Sequence, residues 1–228
     1  MVPPVVPPGK LTNAGGSLTT VLPCTAVLFD CDGVLVDSQS VISRSWTRWA
    51  QQLQVDRTAV LTALHGRRSR DTVAQFIAET GFEEALALID AIELDDAASV
   101  TAIQGAAELL AAVPAGRWAI VTSGSLPLAT ARLVAAGLPI PDVLVTGQHV
   151  SQGKPHPEGY LAAAHLLGIP AGQCVVVEDA PSGIRAARGA GVGYVLGVGN
   201  FDAGEDQPDL TVPDLRSVHW SSAGLEVE

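Results

Sequence analysis

Short apolar runs alternate with longer alanine- and leucine-rich segments along most of this 228-residue chain. The apolar runs lie at residues 26–29, 118–121, 142–145, 174–177, 192–198 and 210–212. The segments between the later runs predict helices near residues 126–137, 157–168 and 181–190. Because strands that alternate with helices form parallel sheets covered on both faces, the pattern predicts an α/β fold with a doubly wound parallel sheet.

The region between the first and second runs breaks this alternation. Its apolar residues recur at helical spacing, and no strand pattern interrupts them. We therefore expect a helical cap at residues 40–112, inserted into a core formed by residues 25–39 and 113–228. Residues 1–24 contain proline pairs and are expected to form a flexible leader. A cap of this size could close over the strand ends, exclude water and select a ligand.

The first apolar run ends in Asp30-Cys31-Asp32-Gly33. Side chains two residues apart on an extended backbone point the same way, so Asp30 and Asp32 can face one site. Two neighbouring carboxylates repel each other unless a cation lies between them. A polar turn that caps the strand is the ordinary alternative, whereas the chemical interpretation makes Asp30 a nucleophile and Asp32 a general acid and base. Cys31 points away from the two carboxylates and is expected to be a small buried filler.

Polar residues also follow two of the other runs. Thr122-Ser123-Gly124 comes after the second run, and Glu178-Asp179 comes after the fourth. In sheets of this kind, ligands bind outside the carboxyl ends of the strands. We expect the Thr122 hydroxyl and the backbone N–H groups of Ser123 and Gly124 to bind phosphate, although an ordinary helix N-cap has the same sequence.

The acidic residues at these strand ends predict a Mg²⁺ site. Mg²⁺ prefers oxygen ligands and keeps several waters, so few protein ligands suffice. The expected ligands are Asp30, the backbone carbonyl of Asp32, and Asp179. Glu178 is expected either to bind the metal, directly or through water, or to hold neighbouring groups by hydrogen bonds. Acids that merely favour a helix N-terminus are the ordinary alternative for this pair.

Two cationic segments complete the candidate site. Lys154 lies in a loop fixed by Gly153 and Pro155, where its ammonium could neutralise the nucleophile and a transferring phosphoryl group. In the cap, residues 64–71 concentrate three arginines and a histidine in an acidic chain. A solvated helix end is the ordinary interpretation of that cluster. The functional interpretation is a cap loop that reaches an anionic substrate, with His65, Gly66 and Arg68 as the contacting residues.

Composition excludes several classes of partner. The formal net charge of −11 disfavours nonspecific binding to nucleic acid or to an anionic membrane surface. No apolar stretch is long enough to span a bilayer. Three cysteines, Cys24, Cys31 and Cys174, give no disulfide framework, so the chain is expected in the reducing cytoplasm. The sequence carries no signal for an oligomeric state.

Together, these motifs resemble the haloacid dehalogenase superfamily, specifically its phosphatases with a helical cap inserted after the first motif. Four motifs match in order: Asp30 and Asp32 the first, Thr122 the second, Lys154 the third, and Glu178 with Asp179 the fourth. The resemblance covers about residues 25–215. It implies Mg²⁺-dependent transfer of a phosphoryl group through Asp30.

Within that superfamily, the segments WAIVTSGS, HGRRSRDT and GKPHPEGY are similar to enzymes acting on 2-deoxyglucose 6-phosphate, glycerol phosphate and other small sugar or polyol phosphates. The chain is also similar to beta-phosphoglucomutases, but those carry a histidine in the first cap helix where this chain has Ile42. This departure favours hydrolysis of a small phosphomonoester. The alternatives are a phosphomutase, a dehalogenase that needs no Mg²⁺, and a non-catalytic phosphate-binding protein.

Overall fold

The strands and helices follow the alternation in the sequence. The structure, a computed structural model, describes residues 9–12, 18–64, 66–200 and 206–228. In chain order, the strands of this part are β1 Gly9–Thr12, β2 Leu18–Pro23, β3 Ala26–Phe29, β4 Val36–Asp37, β5 Thr101–Ala102, β6 Trp118–Val121, β7 Leu144–Val145, β8 Cys174–Glu178, β9 Tyr194–Val198, β10 Leu210–Val212, β11 Val218–Ser221 and β12 Gly224–Val227. The helices are α1 Gln39–Gln52, α2 Arg57–Ala63, α3 Ser69–Phe76, α4 Phe82–Asp96, α5 Ala106–Ala112, α6 Leu126–Ala135, α7 Glu158–Leu167 and α8 Pro181–Gly189.

Six strands form a parallel sheet in the order β10-β9-β8-β3-β6-β7. Strand β3 lies near its centre, where Val27 pairs with Trp118 of β6 on one side and with Val175 of β8 on the other. Every residue of β3, β8 and β9 is buried, as expected for strands covered on both faces. The predicted α/β fold with a doubly wound parallel sheet is confirmed.

Alternate residues of β3 pack against different helical layers. Val27 lies in a buried cluster with Leu109 of α5 and Leu133 of α6. Leu28 lies in a second cluster with residues of α7 and with Ile184 of α8. Because side chains alternate along a strand, the two layers cover opposite faces of the sheet. The strands run in one direction, so their carboxyl ends meet along one edge.

Helices α1 to α4 form the cap and have a hydrophobic core of their own. Trp46, Trp49, Val60, Val73 and Ile89 are buried together in it. The two tryptophan rings meet edge to face at 5.1 Å between centroids. The Trp49 indole N–H donates to a backbone carbonyl of α4 at 2.8 Å, which joins α1 to α4. The predicted helical insertion is therefore a packed unit with aromatic residues at its centre.

The short antiparallel pair of β4 and β5 joins the cap to the core. Helix α5 comes after this pair, and its Ala106, Leu109 and Leu110 lie in the same buried cluster as residues of β3 and β8. The end of the cap therefore lies before α5 rather than at residue 112. The helical spacing of α5 resembles that of the cap helices, so the sequence pattern alone did not separate them.

A second sheet, with strand order β1-β2-β12-β11, contradicts part of the predicted flexible leader. Residues 18–23 form β2, which pairs antiparallel with β12 and places Leu22 beside Leu225. Both leucines are fully buried in the cluster that contains Val27, and this burial holds the segment in place. Residues 1–8 and 13–17 of the predicted leader lie outside the described residues. Within the described chain, no helix has the length and apolarity needed to cross a membrane.

Candidate active site

Three strand ends and one loop meet at the carboxyl edge of the parallel sheet. Asp30 follows β3, Thr122 follows β6, and Glu178 ends β8 with Asp179 directly after it. Lys154 comes from the loop that precedes α7. One oxygen from each of Asp30, Glu178 and Asp179 lies within 4.8 Å of the other two. The structure thus brings together residues that are far apart in the sequence.

The Lys154 ammonium lies between two carboxylates. Its Nζ is 2.6 Å from Asp30 Oδ1 and 2.6 Å from Glu178 Oε1. Burial disfavours the charged ammonium, but Asp30 and Glu178 outweigh that effect and raise the pKa of Lys154 well above its usual value. Lys154 therefore provides a fixed positive charge beside Asp30.

The carboxylates of this site are crowded and largely buried. Burial raises the pKa of Asp30 to about 7, with Lys154 opposing the shift and Glu178 adding to it. Burial and the charges of Glu178 and Asp30 raise the pKa of Asp179 well above its usual value. Such a set of oxygen donors, with only one ammonium among them, fits a hard divalent cation such as Mg²⁺.

Gly33 allows Asp179 to approach the turn that follows Asp30. Its φ of +81° lies in the left-handed region that favours glycine. A Cβ atom placed there would lie only 2.0 Å from Asp179 Oδ2. A side chain at position 33 would therefore displace the carboxylate that the sequence predicts as a metal ligand.

Both oxygens of Glu178 are occupied by hydrogen bonds. Oε1 accepts from Lys154 and, at 2.8 Å, from the Tyr160 hydroxyl. Oε2 accepts from the backbone N–H groups of Asp179 and Ala180, each at 2.9 Å. Of the two expectations for Glu178, this arrangement favours the one in which it holds Lys154 and the following turn.

The Thr122-Ser123-Gly124 segment lines the site but uses some of its polar groups internally. The Gly124 N–H donates to Thr122 Oγ1 at 3.0 Å. The Ser123 hydroxyl donates to the carbonyl of Gly66 at 2.8 Å, which ties the core to the cap. In this conformation Ser123 therefore joins the two parts of the molecule, and the Gly124 N–H is not directed to a ligand.

A cavity of about 220 Å³ lies between the cap and this edge of the sheet. On the core side it is bordered by Asp30, Asp32, Thr122, Arg132 and Asp179. The cap contributes apolar side chains, Ile42, Trp46, Leu61 and Leu64, together with the polar Arg67, Ser69 and Glu93. Pockets for drug-sized ligands are typically about 300–1,000 Å³, so this cavity fits a smaller molecule.

The cap loop before α3 places its arginines differently from the prediction. Arg68 pairs with Asp71 through Nε at 2.6 Å and donates to the carbonyl of Val150 at 3.0 Å, outside the main cavity. Arg67 instead borders the cavity, and its guanidinium forms no ion pair within the described chain. Adjacent residues point in different directions, so Arg67, and not the predicted Arg68, borders the cavity. Gly66 also borders the cavity, and its contact with a substrate stays a prediction, whereas His65 lies outside the described residues.

A buried arginine that the sequence analysis did not select links the core to the cap. Arg132 of α6 is 2% exposed, and its Nη1 lies 3.0 Å from Asp32 Oδ1. Its Nη2 lies 3.1 Å from Oε1 of Glu93, which belongs to cap helix α4. Burial raises the pKa of Glu93, although Arg132 opposes that shift. A charged residue on a helix face otherwise buried through Leu128, Ala129 and Leu133 was the available signal.

These features agree with a comparison against known families. The family model described as haloacid dehalogenase-like hydrolase matches residues 24–191. The chain belongs to this family. The described core, with the cap inserted after its first acidic motif, thus has the fold expected of a haloacid dehalogenase-like hydrolase.

Curated relatives of this hydrolase are named as phosphatases. Hexitol phosphatase A of Escherichia coli is 40% identical over 84% of this chain and 89% of its own length. Glycerol-1-phosphate phosphohydrolase 2 of Saccharomyces cerevisiae is 33% identical over 91% of this chain and 89% of its own length. The expected class, a hydrolase of phosphoric monoesters, is confirmed.

A solved structure extends the similarity to a protein with a bound sugar phosphate. A variant of CbbY from Rhodobacter sphaeroides, solved in complex with xylulose-(1,5)bisphosphate, is 26% identical with a TM-score of 0.72. The match covers 84% of this chain and 95% of that protein. The two proteins therefore share both the core and the capped arrangement over most of their length.

The motifs of this haloacid dehalogenase-like hydrolase identified the acidic and cationic residues at the strand ends but not their supports. Tyr160 was quoted within the GKPHPEGY segment without a role, and its hydroxyl proves to hold Glu178. Arg67, Arg132 and Glu93 were not selected. Their positions depend on how the cap packs on the core, and no local sequence pattern records that packing.

Proposed function

We propose that this protein is a Mg²⁺-dependent phosphatase that hydrolyses small sugar or polyol phosphates through a phosphorylated Asp30. The observation that carries the proposal is the buried Asp30 carboxylate, 2.6 Å from Lys154 and bordering a small cavity between cap and core. A carboxylate can attack phosphorus and form a covalent intermediate. Phosphoryl transfer otherwise depends mainly on positioning and on neutralising charge.

Asp30, the backbone carbonyl of Asp32, and Asp179 are the residues that would hold Mg²⁺. When bound, the ion supplies positive charge to the phosphoryl oxygens and to the crowded carboxylates. The raised pKa values of Asp30 and Asp179 support this assignment, because they indicate that the protein groups alone supply too little compensating charge for these carboxylates.

In the first step, an Asp30 oxygen forms a bond to phosphorus while the bond from phosphorus to the leaving oxygen breaks. Asp32 donates a proton to that leaving oxygen, so an alcohol departs rather than an alkoxide. Lys154 and the Thr122 hydroxyl lie at the same edge of the sheet as Asp30, where Lys154 neutralises and Thr122 binds the phosphoryl oxygens.

In the second step, Asp32 acts as a base. It takes a proton from water while the water oxygen bonds to phosphorus and the bond to Asp30 breaks. Inorganic phosphate leaves and Asp30 is regenerated. Arg132 holds the Asp32 carboxylate in both steps through the 3.0 Å contact with Oδ1.

The size of the cavity supports a small substrate. The cap covers the strand ends, and the Ser123 hydroxyl is bonded to the carbonyl of Gly66 in the cap. A cavity of about 220 Å³ matches the size of a small phosphomonoester. The relatives named for hexitol and glycerol phosphates support a polyol phosphate as the class to test first.

The phosphomutase alternative is less well supported by the cap. Ile42 lies on the cavity wall at the position where the resembling mutases carry a histidine. An isoleucine cannot donate or accept the proton that a histidine can. Release of inorganic phosphate from hexose phosphates, with and without a bisphosphate primer, distinguishes the two functions.

The proposal is tested by a phosphate-release screen of purified protein with Mg²⁺ against sugar, polyol and alkyl phosphates. We expect turnover of several small monoesters and a loss of at least about a thousandfold in Asp30→Asn, because that variant lacks the nucleophile. Asp142→Asn, the same change at an exposed position, is the matched control and should retain activity. Near-normal rates in Asp30→Asn, or activity that survives excess chelator, would contradict the mechanism.

We also propose that the enzyme works in the reducing cytoplasm. The three cysteines are free, and Cys31 and Cys174 are buried. Burial and the charges of Asp32 and Asp30 raise the pKa of Cys31 well above its usual value, which keeps the thiol neutral beside the nucleophile. Cell fractionation with an antibody against the protein would test this location.

A further inference from the structure

We propose that Glu93 and Arg132 form a subsite that recognises a hydroxyl group on the leaving alcohol of the substrate. This inference rests on the proposed phosphatase function and specifies which phosphomonoesters the cavity accepts. It predicts a preference for hydroxylated leaving groups, such as polyols, over plain alkyl groups of the same length.

Both residues border the cavity and are held in fixed orientations. Glu93 is 4% exposed and Arg132 is 2% exposed. The Ser69 hydroxyl donates to Glu93 Oε2 at 3.2 Å, and Arg132 Nη2 donates to Oε1. Asp32 holds the other end of the guanidinium through Nη1. The two side chains therefore present a rigid polar surface rather than a flexible one.

This surface has unused hydrogen-bonding capacity. Among the described residues, Arg132 Nε has no hydrogen-bond partner although it is buried. Each Glu93 oxygen accepts one bond from the protein, whereas a carboxylate offers roughly four acceptor positions in all. One donor and free acceptor positions thus lie on paired side chains at the cavity wall. A hydroxyl group, which both accepts and donates, matches them.

Four cap residues that border the cavity are apolar, in contrast to Glu93 and Arg132. Ile42, Trp46, Leu61 and Leu64 present apolar side chains to the same cavity. A plain alkyl group would pack against them but would leave the Arg132 Nε and the free acceptor positions of Glu93 without a partner. A site built to bond a hydroxyl discriminates strongly against an analogue that lacks it, because buried polar groups then remain unpaired.

A comparison of glycerol 1-phosphate with propyl phosphate tests the subsite, because both leaving groups have three carbons and only one carries further hydroxyls. We expect the wild-type enzyme to show at least about a tenfold higher kcat/KM for glycerol 1-phosphate. In Glu93→Gln, which keeps the shape but removes the charge, kcat/KM for glycerol 1-phosphate should fall about tenfold. The value for propyl phosphate should change less than about twofold.

Two further variants make the test specific. Arg132→Lys keeps the positive charge but removes the Nε donor, so it should lower the ratio of kcat/KM for glycerol 1-phosphate to that for propyl phosphate. This variant takes the place of Glu93→Gln if Glu93→Gln does not fold. Asp95→Asn removes a carboxylate from the same helix, where the side chain is 76% exposed, and should leave both rates unchanged.

The outcomes separate the subsite from the proposed function. Equal loss on both substrates would overturn the subsite, because it would show that the ion pair only supports the fold or Asp32. A wild-type enzyme that hydrolyses the two compounds equally would also overturn it, while leaving the phosphatase proposal intact. Failure to hydrolyse any compound of the wider panel would overturn the phosphatase proposal and the subsite with it.

Discussion

At the residue scale, the site depends on close contacts that tolerate little change. The Lys154 ammonium donates to Asp30 and to Glu178 at 2.6 Å each, and the Tyr160 hydroxyl donates to the same oxygen of Glu178. Position 33 requires glycine because its backbone lies against the Asp179 carboxylate. Gly33 combines a positive φ with the approach of Asp179, so two separate physical effects act at one position.

Gly33→Ala should abolish most activity while leaving the protein folded. The positive φ costs roughly 1–2 kcal/mol for an L-residue, and the added Cβ would displace Asp179. Gly116→Ala is the matched control, since Gly116 has a φ of +74° but no atom within 4 Å of the added Cβ. Both variants should lose stability in urea denaturation because of the positive φ, with a further loss in Gly33→Ala from the clash with Asp179, whereas only Gly33→Ala should lose phosphatase activity. Equal activity in the two variants would argue against the role of Asp179.

At the element scale, the loop between α2 and α3 shows how two adjacent arginines acquire different roles. Arg68, the residue before α3, joins the cap to the core through carbonyls of the loop at residues 147–151. Arg67 borders the cavity, and Arg70 lies 5.7 Å from the centroid of the Phe82 ring. The sequence predicted a cationic cap loop but could not assign these roles, because they depend on the direction of each side chain.

The two arginines should therefore respond differently to truncation. Arg67→Ala should raise KM about tenfold or more with little change in stability, since a hydrogen bond to a charged group contributes roughly 1.5–3 kcal/mol. Arg68→Ala should lower the melting temperature, because its ion pair and its contacts with the core loop are lost. Steady-state kinetics and thermal denaturation of both variants check this. The reverse pattern would return the substrate contact to Arg68.

Elements built from local patterns were predicted well, and those built from distant pairing were not. The runs that became β3, β6, β8 and β9 are apolar and bounded by recognisable motifs or turns. Strand β2 was assigned to a leader because its partner, β12, lies at the opposite end of the chain and the proline-rich residues before it suggested disorder. The link between Glu93 of α4 and Arg132 of α6 likewise joins two residues that are 39 positions apart in the sequence. Such pairs are specified only by the folded arrangement.

At the scale of the whole molecule, the site is a contact between two separately packed units. The charged side chains at this site sum to a net negative charge. The carboxylates are Asp30, Asp32, Glu93, Glu178 and Asp179, and the cations are Arg67, Arg132 and Lys154. With all of them ionised, five negative and three positive charges leave two negative charges, which a divalent cation would balance.

Mg²⁺ should stabilise the whole protein, and more strongly at pH 8 than at pH 6. The pKa of Asp30 is raised from 3.8 to about 7 in the absence of metal. Between about pH 4 and pH 7, the folded protein therefore holds a proton that the unfolded chain has released. Protonated Asp30 thus stabilises the folded state at low pH, and this contribution is lost as the pH rises to about 7. Below pH 7 that proton competes with the cation, and above it the carboxylate is free to bind.

Thermal denaturation with and without Mg²⁺ at the two pH values measures this effect, since a ligand that binds only the folded state raises the melting temperature. Asp179→Asn should reduce the increase in melting temperature that Mg²⁺ causes, whereas the control Asp142→Asn should leave that increase unchanged. An increase at pH 6 that equals or exceeds the one at pH 8 would contradict the placement of the cation at Asp30.

In the proposed function, Asp30 carries the phosphoryl group during turnover. The most direct measurement is mass spectrometry of peptides from Asp32→Asn protein, quenched in acid during reaction with an aryl phosphate. The aryl oxide leaves without a proton from residue 32, so the intermediate still forms while its breakdown is slowed. We predict a phosphoryl group on Asp30 that disappears when the quenched protein is treated with base. A protein that turns over substrate without any modification of Asp30, or with phosphate on a different residue, would contradict the account.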